Sequence, residues 1–115
     1  MRVKNFLTTQ LRDFVSHDGI GNLKHCGLFD NEDFETAIEF INYTVIPPGG
    51  SIGMHKHGED EELYIILSGK GKMKVNDETG IAKEGDVFLN KPHGNHGLFN
   101  DGNEEIGVLV LKANK

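Results

Sequence analysis

The chain has 115 residues, 37% of them hydrophobic and 26% charged, which suits one globular domain with its own core. Twelve Lys and Arg against eighteen Asp and Glu leave a net charge of −6, which argues against a nucleic-acid partner because phosphate binding needs a basic face. Only two arginines occur, Arg2 and Arg12, and the single cysteine, Cys26, excludes an internal disulfide.

No apolar run approaches the length of a membrane span, the longest central one being residues 63–67. Residues 1–5 lack the apolar core of a signal peptide. A cytoplasmic protein with no membrane partner is the expectation. Cys26 reads as a small buried apolar residue rather than a nucleophile.

Residues 1–36 form an arm with glycines at 19, 21 and 27 and a short strand expected over 24–29. The glycine pair around Ile20 lacks the strand and helix that a phosphate-binding loop needs. From residue 37 the chain reads as strands punctuated by Gly and Pro. Residues 38–46 are rich in β-branched and aromatic side chains and stop at Pro47-Pro48-Gly49-Gly50. Further strands are expected over 63–67, 72–75, 81–83, 87–89, 96–99 and 106–111, separated by turn-forming clusters. No window carries a helical period with caps. The spacing is that of an all-β barrel or jelly roll.

The stretch "GMHKHGEDEE" carries the chemistry. In a strand, side chains at i and i+2 share a face, so His55 and His57 can converge on one point. Glu62 opens the next strand, and a hairpin would return it beside that pair. Two imidazoles and a carboxylate suit manganese, iron, cobalt, nickel or zinc. A hydrated acidic loop with two incidental histidines is the competing reading. Of the acids, Glu59, Asp60 and Glu61 are expected to face solvent.

"GGSIGMHKHGEDEELYIILSGKG" resembles the first cupin motif, with Gly49, His55, His57, Glu62 and Gly69 in its fixed positions. "GDVFLNKPHGNHGLFN" resembles the second, with Gly85 and His96 eleven residues apart and Asn100 following. Pro92 and Gly94 each fall one place late, which bears on loop shape and leaves the histidine in register. The resemblance spans residues 37–111 and is similar to small bacterial oxalate-binding or oxalate-decarboxylase-related cupins. It implies a double-stranded β-helix (jelly-roll) barrel over residues 37–115, with the arm at 1–36 contacting a second subunit in a homodimer.

The resemblance further implies one divalent transition metal per chain, held by His55, His57, Glu62 and His96. Manganese is preferred over iron, nickel and zinc. The implied ligand is a small chelating carboxylate or sugar-like metabolite, either turned over by a dioxygenase, isomerase or lyase or held by a binding or sensing module. A cupin-type sugar-phosphate isomerase would draw on Lys56 and Lys91. One position departs from the pattern. Oxalate decarboxylases place a substrate-clamping arginine three residues before the first histidine, where this chain has Ile52, so binding without rapid decarboxylation is expected. Ile52, Met54, Leu98 and Phe99 suggest an apolar cavity. His93 is expected in an exposed loop, and His17 and His25 on the surface or in packing, unless the arm folds over the barrel opening.

Overall fold

The computed structural model describes all residues from 1 to 115 and contains ten strands and no helix. They are β1 (Arg12–Phe14), β2 (Leu23–Phe29), β3 (Ile38–Ile46), β4 (Ser51–Lys56), β5 (Glu61–Ser68), β6 (Lys70–Val75), β7 (Glu78–Lys83), β8 (Val87–Asn90), β9 (Asn95–Phe99) and β10 (Ile106–Ala113). Two antiparallel sheets face each other. One runs β1-β2-β3-β10-β5-β8 and the other β4-β9-β6-β7.

The strand positions follow from local chemistry. β3 ends where Pro47 and Pro48 withdraw two ladder donors. The β5–β6 corner turns at Gly69 with φ 83°, and a Cβ there would sit 2.3 Å from the Glu105 carbonyl oxygen. Only glycine fits. The β6–β7 hairpin is tighter than the sequence suggests: β7 begins at Glu78, so Asn76 and Asp77 alone make the turn. Asn76 tolerates its φ of 51° and accepts the Asn95 amide hydrogen at its side-chain oxygen. β1 was not expected, because Arg12–Phe14 is short and exposed; pairing with Leu23–His25 makes it a strand.

Inward-facing residues alternate along β5, β9 and β10. On β5 they run Glu62, Tyr64, Ile66; on β10, Ile106, Val108, Val110; on β9, His96 and Leu98. Eleven of the buried apolar residues form one contiguous core, including Leu23, Ile46, Ile52, Met73 and Leu98. The same inward rows end in Glu62 and His96. Apolar packing therefore fills one end of the barrel and titratable side chains the other. Tyr64 stands between them, its ring edge-on to His96 with centroids 5.2 Å apart.

Asn100 closes the core end. Its side-chain amide donates to the carbonyls of Ile46 and Glu104 and accepts from the Gly102 amide. Cys26 is buried and unpaired, as its apolar reading anticipates.

Ile66 is 1% exposed at the centre of the core. Ile66→Ala should destabilise the fold by about 2–5 kcal/mol through lost transfer energy and an unfilled cavity. Urea unfolding measures it, and a loss well under 1 kcal/mol would show that the core collapses around the gap.

Candidate metal centre

β4 would place its histidines wrongly if it paired regularly with β9. Ile52 lies opposite Leu98 and His55 opposite His96, so β4 spends two intervening residues where β9 spends only Gly97. The extra residue is a β-bulge. It lets Ile52 face the core and still turns His55 and His57 inward three and five positions later. Met54 faces out.

The four donors predicted from the sequence come together. One atom from each of His55, His57, Glu62 and His96 lies within 4.8 Å of every other. His57 Nε2 is 3.0 Å from Glu62 Oε1, His96 Nε2 is 3.1 Å from the same oxygen, and the two imidazole nitrogens are 3.2 Å apart. Such edges fit neighbouring ligands of a cation held at about 2.1 Å, which stand about 3 Å apart in an octahedron. His55 Nε2 stands back, 3.8 Å from Glu62 Oε1, and is buried without a hydrogen-bond partner.

Two of the rings carry their protons on the far side, which turns lone pairs into the group and suits it to a cation. His55 Nδ1 donates to the Gly53 carbonyl at 2.8 Å, which leaves its Nε2 a bare lone pair. His57 Nδ1 donates to Asp60 Oδ2 at 2.5 Å, with the same consequence. Lone pairs on His57 and Glu62 then face each other at 3.0 Å. A cation between them removes the repulsion. The residues fit a divalent ion.

Asp60 corrects the expectation that it faces solvent. It is 8% exposed, with Lys112 Nζ 3.8 Å away and the ammonium also 3.4 Å from Glu39. Burial raises the Asp60 carboxyl, but the hydrogen bond from His57 and the charges of His57 and Lys112 pull it down further, so it stays ionised. The signal was its place three residues after His57, hidden within an acidic run. Glu59 is exposed, and Glu61 reaches Lys91 on the surface at 3.1 Å, as solvent-facing acids should.

His17, expected on the surface or in packing unless the arm folds over the barrel opening, also joins this group. Its ring stacks on His55 with centroids 3.5 Å apart and planes 7° from parallel. Residues 16–20 are strapped to β4: Gly53 N donates to Ser16 O, Ser51 N to Ile20 O, and Ile20 N to Ser51 Oγ. Two glycines permit this approach, since a Cβ on Gly19 would sit 2.2 Å from Ser51 O and one on Gly53 2.1 Å from His17 O. His17 and Asp18 are bent into positive φ, 51° and 55°. The arm does fold over the barrel. His93, by contrast, sits in an exposed loop beside Glu59.

The cavity is less apolar than the sequence suggests. Ile52 lines it, in the place of the arginine clamp, but Met54 faces out and Phe99 lies under the Lys74 ammonium. No lysine or arginine lines this cavity; Lys56 is exposed and Lys91 is paired with Glu61.

A model of the cupin domain matches residues 42–112. The chain belongs to the cupin family. It is 30% identical over 93 residues to an oxalate-binding protein of Thermotoga maritima, covering 81% of this chain and 77% of that one. An uncharacterised protein of Methanocaldococcus jannaschii is 28% identical over 102 residues, 87% of this chain and 78% of the other. The crystal structure of a predicted oxalate decarboxylase from Thermotoga maritima superposes with a TM-score of 0.94 at 25% identity, covering 98% of this cupin and 99% of that chain. The cupin domain of Schizosaccharomyces pombe Cnp3 shares the fold, with a TM-score of 0.80 at 20% identity over 96% of this chain and 72% of that one.

Two outcomes follow from the charges around this group. Asp60→Ala should weaken divalent-metal affinity about 10–100-fold, because His57 loses the partner that fixes its tautomer; competition against a chelating dye reads this, and unchanged affinity would mean Asp60 is only structural. The second concerns acid. Burial raises the Glu62 carboxyl, but the hydrogen bond with His96 and the surrounding imidazoles bring it down from 4.5 to about 2, while burial foremost holds His96 below 6.5. Both depressions favour the deprotonated fold, so this stability is present at neutral pH and lost on acidification, first as His96 protonates below 6.5 and then as Glu62 does below 4.5. Thermal unfolding of metal-stripped protein should show Tm falling from about pH 6.5 downward. A Tm that rises over that range would contradict the sign.

Proposed function

We propose that this cupin holds one divalent transition metal through His55, His57, Glu62 and His96 and uses it to bind a small chelating carboxylate inside the barrel. The buried, unpartnered Nε2 of His55 carries the reading, because its lone pair faces the other three donors and a bound ion would satisfy it. The relative of Thermotoga maritima named an oxalate-binding protein supports the class of ligand. Manganese is the first choice, ahead of iron, nickel and zinc, since a mixed imidazole and carboxylate set accepts all four.

When bound, such an ion supplies Lewis acidity and positions left open for a chelating ligand. The chain's own residues do the rest. Asp60 and the Gly53 carbonyl hold the two strand histidines with Nε2 inward. The strap of residues 16–20 and the wall of Tyr64 and Ile52 limit water, which strengthens the ion–carboxylate contact. Ile52 gives no charge to a second carboxylate, so oxalate should be held without rapid decarboxylation.

Protein purified without chelator or nickel resin should contain near-stoichiometric metal, and His57→Ala should lose most of it. Titration calorimetry should then show oxalate binding to manganese-loaded and not to stripped protein. Equal metal content in the variant would overturn the ligand set. Equal oxalate binding to both forms would overturn chelation, and brisk release of carbon dioxide would overturn the reading of Ile52.

A further inference from the structure

The outer face of the six-stranded sheet is apolar across most of its width. On β5 the buried side chains are Glu62, Tyr64 and Ile66, so Leu63 and Ile65 between them point out. Strand register continues them sideways. Ile65 lies opposite Val87 on β8 and Leu109 on β10, and Leu109 opposite Tyr43 on β3. Leu63 likewise lies opposite Leu89 and Leu111, Leu111 opposite Ile41, and Ile41 opposite Phe29 on β2. Two neighbouring rows therefore cross the sheet without a charge. At its β8 edge Val87 and Leu89 are 59% and 53% exposed.

The arm covers the other side of this face. The Phe6 ring lies on Tyr43 with centroids 4.7 Å apart, and Lys4 Nζ stands 5.3 Å over the Phe29 ring. Residues 4–6 thus run over β3 and β2. Val3 and Leu7, which flank them, are each 76% exposed. One face so carries two apolar sets in water, a raised one above β2–β3 and a bare one at β8.

The two sets are placed to meet in a symmetric pair. In the order β2-β3-β10-β5-β8, β10 has two strands on each side. A half-turn about an axis parallel to β10, in the plane of contact, brings β2–β3 of one copy over β5–β8 of another with the rows kept in step. The sheet wraps the core, so its outer face is convex and two copies touch first along β10. A wedge opens on each side of that contact, and each wedge receives one arm. Five strands about 4.8 Å apart span roughly 20 Å, and two such faces with their arms would bury on the order of 1,000 Å², where specific interfaces begin. A foreign partner would have to supply both a ridge for the bare strands and a step for the arm. A second copy brings both.

We propose that two copies of this chain pack outer face to outer face, β10 along β10, with Val3 of each arm seated on Leu89 of the other copy and Leu7 on its Ile65 and Val87. The metal group lies on the inner side of the sheet, so this pairing stands independently of the function proposed above.

Sedimentation equilibrium at micromolar concentration should give the unaltered protein twice the chain mass. Leu89→Lys should raise the dissociation constant of the pair about 100-fold, since two-fold symmetry makes the substitution act in two places. Ile81→Lys alters an exposed side chain on β7, in the other sheet, and should leave the constant unchanged. Far-UV circular dichroism checks that each variant is folded. Cross-linking reads the orientation: Val3→Cys and Leu89→Cys proteins, mixed and oxidised, should form a disulfide-linked pair that neither forms alone. A single-chain mass for the unaltered protein, or undiminished pairing in folded Leu89→Lys, would overturn the proposal. Leu89→Cys protein that linked to itself and not to Val3→Cys would overturn the seating of the arms. Should Leu89→Lys fail to fold, the mixed cross-link decides alone, and its absence overturns the pairing.

Discussion

One extra residue in β4 makes this barrel a site. Without the bulge between Ile52 and His55, strand alternation would turn His55 and His57 outward while Ile52 faced the core. With it, the same strand carries apolar packing at one end and two donors at the other. The bulge also bares the backbone around Gly53, and residues 16–19 dock there against glycine on both sides. A side chain at either glycine would displace the strap and with it the ring stacked on His55. Register, arm and ligand orientation thus share one local irregularity.

A second constraint acts inside. Three donor atoms crowd to 3.0–3.2 Å, and two of the three histidines have their far nitrogens engaged by acceptors. The fold holds this arrangement at a cost, since lone pairs oppose one another and a buried carboxylate sits among them. The surrounding scaffold opposes relaxation. Tyr64 backs His96 edge-on, Asp60 anchors His57, and Lys112 ties Asp60 to Glu39 across β3 and β10. Pre-positioned donors of this kind bind an ion with little reorganisation.

Much of this was legible in the sequence, for reasons that differ by element. The strands announced themselves through β-branched runs ending at Pro and Gly; a strand period of two paired His55 with His57 and a hairpin brought in Glu62, while His96 was implied by the resemblance to the second cupin motif. Asp60 was obscured because a carboxylate in "EDEE" looks like any solvated acid; only the path of the loop brings it 2.5 Å from His57. His17 was obscured for another reason. Its contact with His55 depends on a long-range docking of the arm, and neither periodicity nor a local motif encodes which strand edge an arm will find. Met54 was misplaced inside because the bulge shifts alternation in β4 by one residue, and a bulge leaves only a faint trace in sequence, here a glycine at 53; Phe99 faces out by plain alternation with His96 and Leu98 on β9.

The distribution of charge suits the site to a cation. The chain carries a net charge of −6, and Glu62 and Asp60 place two carboxylates at the metal group itself. Lys112 is committed to Asp60 and Glu39, Lys91 to Glu61, and no cationic side chain lines the cavity. An anion approaching the four donors meets negative potential and a wall of amide, imidazole and aromatic groups. Under the proposed function, the attraction would come from an ion held by those four donors. A site built with an arginine at position 52 would keep some anion affinity in the absence of metal. With isoleucine there, no side chain supplies that charge, and under the proposed function an ion held by the four donors would be what draws a carboxylate in.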